Sequence, residues 1–218
     1  MRELPFTCSA DALVRALLSG KKTQDRRTVK WRGISPGLNL SFSGLTASRT
    51  AKGWVLESPS RTSTEWRCAP TPSPYGEPGD QLWLQESFAR IDGQTRPWIE
   101  TDYRATYKHG DRLGDLLGIK KRWSPAIHMP RHASRLLLDV TAVRVERLHS
   151  ISPVDALQEG LEECTDLPSR WNNPVCLQTS VKLYSELWEQ KNGPGSWQTN
   201  PWVWVTEFQR IEQKGPWE

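Results

Sequence analysis

The densest group of reactive side chains in the sequence is Lys21-Lys22-Thr23-Gln24-Asp25-Arg26-Arg27-Thr28-Val29-Lys30. A lysine drawn out of water in such a run can act as a base, and a protonated one can steady a developing oxyanion. Asp25 is placed to neutralise its neighbours or to pair with a lysine. The acids that could complete such a site are Glu159, followed at once by Gly160, and Glu86, which interrupts an apolar strand face in Leu82, Leu84, Glu86 and Phe88. An inward carboxylate of that kind needs a partner. His128 and His132 flank Met129-Pro130-Arg131, but Pro130 breaks the helix that would align them, so the H-x-x-x-H spacing makes no metal site.

The elements that must position these groups are legible from periodicity. Ser9 is a candidate cap for a helix over Ala10 to Ser19, with Leu13/Leu17 and Val14/Leu18 at four-residue spacing and Gly20 as its stop. That helix delivers the chain straight into the basic run, where the helix dipole favours cations; the ordinary outcome of the same pattern is a solvated basic turn. A turn at Tyr75 to Asp80 launches a strand from Gln81 to Phe88, and a longer strand, bulged where its alternation changes phase, spans Ser134 to Leu148. Ser152-Pro153-Val154-Asp155 starts a short helix that Gly160 can end. A helix from Ser180 to Lys191 carries Val181, Tyr184, Leu187 and Trp188 on one stripe, and a strand from Trp202 to Ile211 closes the order. Residues from about 33 to 78 are rich in Ser, Thr, Pro and Gly and read as an insertion or flap of short strands and loops. Strands and turns with few helices argue for an α+β, barrel-like sheet.

Composition bounds the rest. A length of 218 residues fits one domain, 1–218, carrying an elaboration. With 36% hydrophobic and 25% charged residues, no apolar run long enough for a bilayer span and no apolar core at the N-terminus, the expected setting is cytoplasmic, away from membranes. The net charge of +4 favours an anionic ligand without requiring one. Cys8, Cys68, Cys164 and Cys176 form no C-x-x-C pair and read as reduced packing thiols. Twelve tryptophans suit an interlocked core or base-stacking platforms; alternating Trp202, Trp204 and Phe208 fit a buried sheet face.

Leu17 through Arg27, Pro78 through Glu86, Val145 through Leu148 and Asp155 through Gly160 together resemble the ASCH-domain family. The larger subgroup common in bacteriophage genomes is also similar at Ile127 to Arg131 and at Asn192 to Trp197 through Asn200 to Val205. The likeness spans most of the chain outside residues 33–74. It implies a PUA-like β-barrel with a cleft and a few short flanking helices, related to domains that bind RNA or modified bases. Some small members are amidohydrolases that deacylate N4-acetylcytidine with a Lys, a Thr and a Glu. Their Lys matches Lys22 and their Glu matches Glu159, while their Thr falls on Asp25, a departure at the hydroxyl position.

The implied activity is a metal-independent, cofactor-free amidohydrolase acting on N4-acylated cytidines or related nucleosides. Lys22, Glu159 and Asp25 are the expected catalytic residues, with Thr23, Arg27, Trp83, Glu86, His128 and Arg131 as substrate contacts. Lys22 would serve as oxyanion contact or base, and Glu159 would activate water and return its proton. The alternative is a non-catalytic binder of RNA or single-stranded or modified nucleic acid, with Lys21, Lys22, Arg26, Arg27 and Arg131 on phosphates and Trp83 or Trp31 stacking a base. A ribonuclease using the same Lys and Glu is the third reading.

Overall fold

The computed structural model describes residues 1–59, 64–90, 101–107, 122–161 and 174–211, with residues 59, 64 and 174–178 described as backbone. It is a mixed α+β structure, mostly sheet. The first strand, β1 (Glu3–Thr7), leads into helix α1 (Asp11–Leu18), and β2 (Gln24–Thr28) follows. Three short strands come next, β3 (Thr46–Thr50), β4 (Gly53–Pro59) and β5 (Thr64–Trp66), then β6 (Gln81–Gln85), β7 (Phe88–Arg90) and β8 (Thr101–Tyr103). The chain ends with the long β9 (Leu137–Arg147), α2 (Pro153–Gln158), α3 (Pro174–Asn192) and β10 (Trp202–Arg210).

Five strands form the main sheet in the order β1-β6-β9-β10-β2. Only β1 and β6 run parallel within it; the other neighbours are antiparallel. The outer strands β1 and β2 are not paired in the ladder among the described residues. The sheet nonetheless curls enough for Arg27 of β2 to donate from Nη2 to the Thr7 carbonyl of β1 at 2.8 Å. This curl encloses the larger core, in which Phe6, Leu82, Leu84, Val140, Trp204 and Phe208 are buried. The other face, through Val203 and Val205, packs against Tyr184 and Trp188 of α3 and the residues around α2.

The bulge expected in β9 sits at Thr141: Ala142 opposes Glu207 and Val140 opposes Phe208, leaving Thr141 over. Buried positions accordingly change phase from Leu136, Leu138 and Val140 to Val143 and Val145. At α2 the capping box is complete, with Ser152 and Asp155 bonded reciprocally. Within the predicted insertion, β3, β4 and β5 build a small antiparallel sheet whose Val55 and Leu56 join the main core.

Several boundaries differ from the sequence reading. Ser9 does not cap α1: the N-cap is Ala10, without a side-chain bond, and the Ser9 carbonyl instead accepts from Arg104. The strand expected from Gln81 to Phe88 breaks at Glu86, and its end pairs with β8 in a separate two-stranded sheet. The last long helix begins at Pro174, ahead of the apolar stripe that signalled it. Trp31 is buried and edge-packed on Trp202, which removes it as a base platform. Cys8 and Cys68 are buried free thiols; Cys164 lies outside the described residues and Cys176 is described only as backbone. No helix among the described residues is long and apolar enough to cross a membrane.

Candidate functional site

The site begins where α1 stops. Gly20, at φ +74°, takes the left-handed conformation that closes a helix, and the Lys21 and Lys22 amides both return to the Ala16 carbonyl. Lys22 is thereby folded under α1 and becomes 97% buried, leaving 3% exposed. A second glycine brings its partner in. Gly160, at φ +89°, follows α2, and a Cβ there would lie 2.9 Å from the Ala16 Cβ and 3.1 Å from the Lys22 Cβ. Only a residue without a side chain lets the end of α2, with Glu159, approach this closely.

Lys22 Nζ donates to Glu159 Oε2 at 2.8 Å, to the Gln24 carbonyl at 2.6 Å and to the Glu159 carbonyl at 3.2 Å, and lies 3.1 Å from Asp25 Oδ1. The two carboxylates are held from their other sides as well. Asp25 Oδ2 accepts from Arg27 Nε at 2.7 Å, and Glu159 Oε1 accepts from Arg26 Nη1 at 3.0 Å. Arg26, 1% exposed, further donates to Gln24 Oε1 and Glu146 and approaches Asp155 at 3.4 Å. β2 alternation explains this division: Gln24 and Arg26 face α2, while Asp25 and Arg27 face β1.

Burial alone would depress the Lys22 pKa, but Glu159 and Asp25 outweigh it and raise it above the ordinary lysine value, so Lys22 is an ammonium. For Asp25, burial pushes upward and Lys22 with the other nearby cations wins, holding the carboxyl below its ordinary range. Cys8, beside this cluster, is pushed up to about 11 by burial and is a neutral thiol.

These groups form the polar floor of a pocket of about 540 Å³. Its walls come from Thr7 to Ala10 and Leu13 on one side and from Leu161 and α3 on the other, where Tyr184, Leu187 and Trp188 present a mostly apolar surface and Lys191 adds a cation. The Trp188 indole Nε1 is buried and finds no acceptor among the described residues. A chamber of this size, apolar on its sides and charged at one end, suits a small organic ligand with a polar reacting group.

The three expected catalytic residues, Lys22, Asp25 and Glu159, are thus brought together, although Glu159 is 137 residues from Lys22. Of the six expected substrate contacts, Arg27 lines the pocket and five do not. Thr23 is occupied as backbone, its amide on the Gln158 carbonyl and its carbonyl accepting from Phe208. Trp83 is half-buried on β6 between Pro5 and Leu137. Glu86 is buried, but against Arg135, which grips it in two bonds of 2.8 and 2.9 Å; the inward acid has its partner, and the pair is structural. His128 is exposed on a single 3-10 turn, and Arg131 is paired with Glu3. Thr23 adjoins the site only through its backbone, and the other four lie on β6 or on the segments between β6 and β9, outside the pocket lining.

Lys22, Arg26, Arg27 and Arg131, expected on phosphates in the binding alternative, each carry a carboxylate partner instead. Among the described residues no cluster of three or more His, Cys, Asp or Glu is placed to hold a metal ion. The sequence reading missed Glu146 and Arg135 as counter-charges and Cys8 as a pocket wall; the stripe of Tyr184, Leu187 and Trp188 was visible, its destination was not. No family model, curated protein or solved structure matches the chain.

Proposed function

We propose that this protein is a metal-independent amidohydrolase that removes the acyl group from N4-acylated cytidines or related nucleosides, working in the cytoplasm on an ASCH-type, PUA-like framework. One observation carries the reading: the Lys22 ammonium and the Glu159 carboxylate meet at 2.8 Å on the floor of a nucleoside-sized pocket, with Asp25 3.1 Å from the same nitrogen. The aromatic wall of Tyr184 and Trp188 supports it, because a pyrimidine offers a flat face to such side chains.

Lys22 acts as a fixed positive charge rather than a base, since it stays protonated. Its nitrogen has four oxygen neighbours and three protons, so the substrate carbonyl takes the place of the longest contact, the Glu159 main-chain carbonyl at 3.2 Å. Glu159 removes a proton from water as the water oxygen bonds to the acyl carbon. It then delivers that proton to N4 as the C–N bond breaks, giving cytidine and a carboxylic acid. The cytosine ring delocalises the departing nitrogen's electrons, which makes this amide easier to cleave than a peptide. Asp25, clamped between Lys22 and Arg27, positions the ammonium and does not serve as a nucleophile.

A panel of acylated nucleosides incubated with the protein in EDTA tests the proposal. Release of the free base or nucleoside from N4-acylcytidines is expected, and turnover confined to unrelated amides would remove the assignment.

A further inference from the structure

Residues 30–72 hold six basic side chains, Lys30, Arg32, Arg49, Lys52, Arg61 and Arg67, against two acidic ones, Glu57 and Glu65, a net of +4. The remainder of the chain has 23 basic and 23 acidic residues, so this one segment carries the entire excess. Its outer surface also shows large apolar groups. Trp66 at the end of β5 is 56% exposed and Ile34 is 41% exposed. They are neighbours in the fold, because residues 32–35 run beside 67–69, with Arg32 bridged to Ala69 and the Ser35 amide donating to the Arg67 carbonyl.

Lys30 and Arg32 are exposed while Trp31 between them is buried, so both cations project from the outer side of this stretch. Neither has a carboxylate partner among the described residues. Arg67 is paired with Glu65 at 3.1 Å; Arg67 is half-buried and Glu65 exposed, and a pair this open to water is weakly held. Isolated surface apolar residues are commonplace. A half-exposed tryptophan that follows Glu65 and pairs across the sheet with Glu57, in the segment that supplies all of the net charge and whose chain runs beside two cations without a carboxylate partner, Lys30 and Arg32, is a different arrangement. It combines phosphate neutralisation with a flat stacking surface, the two features that single-stranded nucleic acids require of a protein.

We propose that the outer face of residues 30–72, with Trp66, Ile34, Lys30, Arg32 and Arg67, docks single-stranded nucleic acid. Trp66 stacks a base, and Arg32, Lys30 and Arg67 take neighbouring phosphates. The surface lies outside the pocket-lining residues and its occupancy does not depend on the hydrolase reading.

Fluorescence anisotropy with labelled oligouridylate and oligothymidylate tests it and distinguishes RNA from DNA. Binding should weaken as salt rises. Trp66→Ala should weaken it about 5- to 100-fold, the effect of losing one stacked base. Arg32→Glu should also weaken it and flatten the salt dependence, while Lys182→Glu, the same charge reversal on an exposed position of α3, should leave it unchanged. Thermal melts check that the variants stay folded, and hydrolysis of free N4-acetylcytidine should be untouched in Trp66→Ala and Arg32→Glu. Failure to bind either oligonucleotide at low salt, or equal loss in Lys182→Glu, overturns the proposal. So does binding to vesicles containing phosphatidylserine in place of both oligonucleotides.

Discussion

Lys22 is a buried cation whose surroundings decide its chemistry. Its charge is balanced at short range by Asp25 and Glu159, and removing it would leave those two buried carboxylates with only Arg27 and Arg26 as counter-charges in a site that is nearly closed to water. Breaking one side of such a buried ion pair costs about 3–5 kcal/mol. Lys22→Met is therefore expected to lower unfolding free energy by that amount in urea titrations, in addition to abolishing hydrolysis. An unchanged midpoint would show that the pair contributes nothing to folding. Arg26→Met belongs to the same class, since Glu146, Asp155 and Glu159 all lose a counter-charge.

The same contacts set a dependence on pH. Asp25 is held below its ordinary value of 3.8, so the stability it adds is complete above that value and is lost as pH falls through the lower folded pKa. Lys22 is raised above 10.5, so its contribution is complete below that value and lost as pH climbs through the higher folded pKa. Melting temperature should accordingly be flat, as far as this pair determines it, between about pH 4 and pH 10. Asp25→Asn should melt lower at neutral pH and fall less steeply in acid. An acid limb identical to that of the unaltered protein would place the sensitive carboxyls elsewhere.

At the scale of elements, two helix ends and one strand make the site. α1 and α2 both stop at left-handed glycines, and each stop delivers a charged residue inward, Lys22 after Gly20 and Glu159 just before Gly160. Gly160→Ala combines a strained φ with a Cβ 2.9 Å from Ala16 and 3.1 Å from Lys22. It should destabilise by about 1–3 kcal/mol and reduce turnover by displacing Lys22. Normal stability together with normal turnover would mean that the close approach of α2 is not needed.

Much of this was readable from sequence because local chemistry dictates it. Gly20, Gly160 and the Ser152/Asp155 box mark helix ends by rules that act over a few residues, and the phase change at Thr141 is visible in the order of apolar side chains. What could not be read is long-range. Arg135 as the partner of Glu86 and Glu146 as a partner of Arg26 depend on which strands become neighbours, and β9 supplies both β6 and β10 with a neighbour. Ser9 lies one residue ahead of the N-cap Ala10, and its carbonyl accepts from Arg104, 95 residues away. Trp83, His128 and Arg131 lie on β6 and on the short turns ahead of β9, outside the pocket lining, and no local rule separates them in the sequence from residues that line it.

For the whole molecule, the pocket lies between the β1–α1 segment and α3. A ligand bound there should stabilise the folded state by mass action, by about 2.7 kcal/mol at a hundredfold excess over Kd. Cytidine, as the expected product, should raise the melting temperature in a concentration-dependent way. Leu13→Trp, which adds bulk to the pocket wall on α1, should remove the shift without breaching the core, because Leu13 is only partly buried. A cytidine shift that survives this filling would locate the ligand elsewhere.

The union of Lys22 and Glu159 is tested most directly by comparing the rate of cytidine release from N4-acetylcytidine, in EDTA, by the unaltered protein and by Glu159→Gln of matched circular dichroism. The substitution keeps the shape of the side chain and removes its capacity to shuttle a proton. The expected result is steady release by the unaltered protein and a loss of about 100- to 10,000-fold in the variant. Equal rates in the two proteins, or no cytidine from either, would contradict it.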